Sequence, residues 1–187
     1  MMIEIGAGML GAAALAVAWG LKASNRLVAL DERCDAAQGD IDALLKHRHS
    51  LIPPLVETVK AAAGHEGKII MGVVRARAEA LRAAGEARID AETALSQNLT
   101  QLLANAESYP DLRAMGEFRE LRDRLTEIEN RIVNARRFHN TTIDEYNATL
   151  RQFPGSVIAD LRRMSRRQPF DLGFERVLLD EPVKLGF

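Results

Sequence analysis

The chain carries four histidines, and each could in principle hold a metal or move a proton. His65-Glu66 opens like the zinc-protease motif H-E-x-x-H, but the second histidine would fall at position 69, which is Ile69. A di-metal site in a helical bundle needs a glutamate three residues before a histidine. Those positions hold Leu44, Lys46, Ala62 and Arg136. His47 and His49 are two apart and point to different faces of a helix. Gly67-Lys68 lacks the partner glycine of a phosphate loop, and no serine sits in G-x-S-x-G. No catalytic residue, metal ligand or cofactor is therefore expected, and the protein is read as no enzyme.

The remaining polar groups suit recognition. Lys46, His47, Arg48 and His49 form a short basic patch, either a partner site or a turn that neutralises a helix C-terminal dipole. Arg162, Arg163, Arg166 and Arg167 are denser, with Met164 between them and Phe170 soon after, and are either a site for anionic lipid or a solvated tail. Asn140 and Asn147 are seven apart, on one side of a helix. They are expected to fix register by hydrogen-bonding a neighbouring helix or its bend, or else to line a partner groove. His139 falls on an apolar stripe, where burial would keep it neutral.

These groups are positioned by helices; no period-2 strand pattern appears. Leu27, Leu30, Cys34, Ala37, Ile41, Leu44 and Leu45 step by three and four along a first helix. Pro53-Pro54 then remove two backbone donors, so that the helix either kinks and resumes at Leu55 or stops and turns. A second helix is expected over 68–84, with Ile70, Val73, Val74, Arg77 and Leu81 in step and Gly85 ending it. A third starts near Asp90, with Leu95, Leu99, Leu102 and Ala106 as its stripe. Ser108 and Asp111 have capping-box spacing before the last long helix. Its stripe runs Phe118, Leu121, Leu125, Ile128, Ile132, Ala135, His139, Thr142 and Tyr146 until Phe153-Pro154-Gly155 stops it. A short helix is expected at 157–163.

Before all of this lies Ile5–Leu21, seventeen residues without a charge. As helix it spans about 25 Å, the short end of what crosses a bilayer. The competing reading, a cleaved signal peptide, has small-residue sites at 14–18 but lacks a basic start. Lys22, Arg26 and Arg33 follow the run and no Lys or Arg precedes it, which puts the body in the cytoplasm. Gly8, Ala12, Ala16 and Gly20 give a small-residue stripe for weak self-association. A net charge of −1 excludes nucleic-acid binding by bulk charge, and a single cysteine excludes an internal disulfide.

Several blocks in this order resemble the LemA family of bacterial membrane proteins. They are Leu45 through Pro54 to Lys60, His65-Glu66, Ala76-Arg77-Ala78, Glu107 to Leu112, Glu129 to Ile132 with Ala135-Arg136, and Asn140 through Asn147 to Pro154. Two positions depart from the pattern: Pro54 where the family usually has Asn, and His139 where it often has Tyr. The resemblance implies an N-terminal anchor with an outer tail, an antiparallel four-helix bundle in the cytoplasm, and no known reaction. Some members are encoded beside a membrane zinc protease, and relatives include magnetosome-membrane proteins. The expected architecture is all-α: residues 1–22 a transmembrane helix with a short outer tail, 23–153 the bundle, 154–187 a tail. The expected role is a scaffold or adaptor at the bacterial inner membrane, with lipid and an unidentified protein as partners. The alternatives are a regulatory partner of a membrane protease and a lipid-surface organiser.

Overall fold

The computed structural model describes residues 2–63 and 67–170, with side chains throughout except at 2–8, 12, 13, 62, 63 and 86. Its elements are α1 (Met2–Ala63), α2 (Gly67–Arg82), α3 (Glu86–Ala106), α4 (Pro110–Ala114), α5 (Gly116–Arg151) and α6 (Gly155–Arg162). Among the described residues no strand occurs. No helix among them is long and apolar enough to cross a membrane. The expected anchor therefore rests on the sequence, and Gly8 and Ala12 of its small-residue stripe lie outside the described side chains. So does the His65-Glu66 pair.

The chain forms two compact units. Of the described residues, one comprises 2–40 and 137–170, the other 41–63 and 67–136. In the first, the early part of α1 lies antiparallel to the late part of α5. Arg33 stands over Phe138, Arg26 approaches Glu145 and Trp19 meets Phe153, so partner numbers fall as α1 advances. Leu27, Leu30 and Cys34 pack with Ile143, Tyr146, Leu150 and Ala159. Cys34 is buried, which pushes its thiol up and makes it a poor nucleophile.

In the second unit α2 packs on α3, and the later half of α1 bonds to α2 through Arg77, to α3 through Glu92 and to the first half of α5 through Glu129. Its core holds Ile41, Leu45, Ile52, Leu55, Ile70, Val73, Leu95, Leu99, Leu112, Phe118, Leu125 and Ile132. The α1 residue Asp42 pairs with Arg88 and Arg48 with Glu92, so α1 and α3 run the same way. The short turn at 83–85 sends α2 against them.

Helix α1 continues through Pro53-Pro54 without a break. An internal Pro53 leaves the carbonyl four residues earlier, that of His49, without its helical donor. Arg77 of α2 fills the vacancy, its Nε donating to the His49 oxygen at 3.0 Å. Three expectations are corrected. The buried face of α2 is Ile70, Val73, Ala76 and Ala80, while Val74 and Leu81 are exposed. The α3 N-cap is Gly85, at φ +60, and Asp90 lies inside the helix. The last helix begins as α4, capped by Tyr109 with no side-chain bond, and breaks at the extended Met115 before α5.

Candidate functional site

Arg48 lies on the same helical face as Ile41, Leu45, Ile52 and Leu55, so α1 carries its guanidinium into the second unit's core. Its exposure is 0%. Nη1 donates to Ser96 Oγ at 2.5 Å and to Glu129 Oε1 at 2.8 Å. Nη2 donates to the Glu92 carboxylate and, at 3.3 Å, to the Glu92 carbonyl oxygen. His49 Nε2 donates to the other Glu92 oxygen at 2.9 Å. Burial alone would raise the Glu92 pKa, but His49 and Arg48 together overcome it and hold the carboxyl below its ordinary value. The cluster is closed: one cation, two carboxylates and a histidine, with Arg48 Nε and His49 Nδ1 left without partners. Among the described residues no group of three or more His, Cys, Asp or Glu side chains is disposed to hold a metal.

A second constellation stands in the first unit, where the chain beyond α6 returns extended along α5. The amide of Asn147 takes both backbone groups of one tail residue. Its Nδ2 donates to the Arg167 carbonyl at 2.8 Å, and its Oδ1 accepts from the Arg167 N–H at 3.1 Å. Asn140 does the same to Phe170, at 2.9 Å in each direction. The spacing explains the repeat. Seven helical residues rise about 10.5 Å, and three extended residues cover about 10 Å. One asparagine every two turns thus meets every third tail residue. Tyr146 adds a bond from its hydroxyl to the Ser165 carbonyl at 3.1 Å.

Side chains complete the clamp. Arg167 Nε donates to Asp31 at 2.7 Å and Nη1 donates to Asp35, which lowers the Asp35 pKa. Phe170 lies against the ring of His139 at 4.9 Å between centroids. Burial lowers the His139 pKa, and the charge of Arg167 lowers it further against an opposing bond from Asn140.

The expected site residues are therefore divided. Lys46 and His47 are exposed, whereas Arg48 and His49 are buried in the ion cluster. Arg162, Arg163 and Arg166 are exposed with no ion pair among the described residues, whereas Arg167 is engaged by two aspartates. Asn140 and Asn147 bond the backbone of the chain's own tail at Phe170 and Arg167, not a neighbouring helix. Glu92, Ser96, Glu129, Asp31 and Asp35 were missed. The available signal for the first three was Arg48 itself, a charge on an apolar stripe that must find countercharge.

The profile of the LemA family matches residues 37–187. Two similar proteins are Magnetosome protein MamQ 2 and Magnetosome protein MamQ 1 of Paramagnetospirillum magneticum (strain ATCC 700264 / AMB-1). Each is 21% identical to this chain over 186 residues, covering 85% of this chain and 67% of its own length.

Proposed function

The chain belongs to the LemA family, and from that premise we propose that it is a membrane-tethered helical scaffold or adaptor, seated at the bacterial inner membrane with its body in the cytoplasm. The observation that carries this reading is the two-part character of α1. Its early large apolar side chains Met9, Leu10, Leu15, Val17, Trp19 and Leu21 are all exposed. They belong to the uncharged run Ile5–Leu21. Farther along, the same helix buries Leu27, Leu30, Cys34, Ala37 and Ile41. Exposed apolar side chains on an uncharged helix are stable in lipid, and one continuous rod would then join bilayer to body. The basic residues that follow the run favour a cytoplasmic body. The similar proteins are named for the magnetosome, which agrees with work at a membrane.

Both polar constellations are spent on internal contacts, which favours binding over chemistry. Carbonate extraction and N-terminal mass spectrometry test the tether. The chain is expected to stay in the membrane with its first residues intact. Release by carbonate, or a mature chain beginning near Trp19 or Gly20, would overturn it. Copurification from detergent tests the role. A mixed or absent partner set supports a scaffold, and a single stoichiometric protease would replace it by a regulatory subunit.

A further inference from the structure

We infer that the turn after α5 and the outer face of α6 form an interfacial wedge, which lies in the headgroup region of an anionic bilayer beside the point where α1 leaves it. This rests on the proposed tether.

Helix α6 has two faces. Gly155 and Ala159 are buried, with Ile158 and Met164 packed against the same core. Val157 and Leu161 each follow one of the buried pair by two residues, about 200° round the helix. They are exposed by 59% and 84%, and Phe153 in the preceding turn by 72%. Leu161 exceeds every other large apolar side chain described. A soluble surface gives no reason to set two such side chains on one side of an eight-residue helix and a third in the turn before it.

Two further observations say what covers them. The Phe153 ring meets Trp19 at 5.4 Å between centroids. Trp19 stands near the end of the uncharged run, where an indole favours the membrane–water boundary. The wedge is therefore at the depth at which α1 would emerge. Arg162, Arg163 and Arg166 are exposed and carry no ion pair among the described residues, against one carboxylate on α6, Asp160. Lys22, also exposed, follows Trp19 within a turn. Apolar and aromatic side chains rimmed by exposed arginines are complementary to anionic headgroups over acyl chains.

The test uses the full chain in proteoliposomes containing shallow brominated lipids. Native Trp19, the only tryptophan, reports the tether. A second protein, Trp19→Phe with Leu161→Trp, reports the wedge. Bromine is expected to quench both. In vesicles of anionic lipid, Arg162→Gln, Arg163→Gln and Arg166→Gln together should shift the wedge outward. At about fivefold per arginine, the inserted population ratio falls on the order of a hundredfold. High salt should act in the same direction. Quenching of Trp19 but not of the tryptophan at 161 would overturn the wedge and leave the tether standing. Quenching of neither would remove the tether, and the wedge with it. A blue-shifted but unquenched probe at 161, dependent on protein concentration, would overturn lipid as the occupant and assign the face to a second copy. Binding unaffected by the arginine changes would overturn the choice of anionic lipid.

Discussion

Arg48 is a full charge with no exposed surface, and its environment decides what removing it does. Arg48→Met leaves Glu92, itself 2% exposed, with a charge answered only by His49. Breaking a buried pair from one side costs about 3–5 kcal/mol. Replacing both partners, Arg48→Met with Glu92→Leu, removes the stranded charge and is expected to recover much of that loss. Denaturant unfolding of the two variants checks it; equal losses would mean that packing, not charge, sets the cost. Two groups give the acid limb of the stability curve separate windows. His139 has a folded pKa below its ordinary 6.5, so the unfolded chain takes up the proton first. The stability it contributes is complete above 6.5 and is lost as pH falls through the depressed value. Glu92, also depressed, contributes stability that is complete above its ordinary 4.5 and is lost lower still. His139→Phe should flatten the loss just below pH 6.5 and leave the more acid loss in place. Equal destabilisation at pH 5 and pH 8 would show that His139 does not titrate in a core.

At the scale of the element, helices were legible because burial on one face leaves a period of three and four in the sequence. Leu27 to Ile41 and Phe118 to Ile132 read directly. The path through Pro53-Pro54 was not legible, because the group that settles it is on another helix. Arg77 supplies the donor that Pro53 removes, across 28 residues of sequence. The two positions should therefore be coupled. Arg77→Leu strands a carbonyl and is expected to cost about 1–3 kcal/mol. In a Pro53→Ala background the helix regains its own donor, and Arg77→Leu should cost measurably less. Additive effects in that double-mutant cycle would deny the exchange. The turn into α6 depends on space. A Cβ on Gly155 would stand 2.1 Å from the Thr149 carbonyl oxygen, a backbone atom that cannot swing aside. Gly155→Ala is expected to lose about 3 kcal/mol, read as a lower thermal midpoint. A near-neutral result would mean that α6 can lift from the core at little cost.

At the scale of the whole molecule, fold class was legible and the tail's return was not. A 3.6-residue period identifies helices wherever they pack, but an extended segment held by backbone bonds carries little pattern of its own. Asn140 and Asn147 were visible as a pair seven apart, and Arg167 as one of four arginines. Nothing in their spacing says that Arg167 closes on Asp31 across 136 residues. That closure ties the chain beyond α6 to the early part of α1, and the two asparagines set where it lands. Each gives up about two backbone hydrogen bonds if shortened, roughly 1 kcal/mol apiece in net terms. Asn147→Ala should therefore release the Arg167 amide first, and Asn140→Ala the Phe170 amide. The double variant should free residues 166–170, although Asp31 and Asp35 still attract Arg167 and Tyr146 still holds the Ser165 carbonyl. Hydrogen exchange followed residue by residue is the measurement. Protection at Arg167 and Phe170 should fall by about one order of magnitude or more in the matching single variant. The amides around Arg48 in the other compact unit should keep theirs. Protection lost throughout both units would mean that the asparagines support the fold at large, and protection kept at Arg167 would mean that the aspartates alone hold the tail.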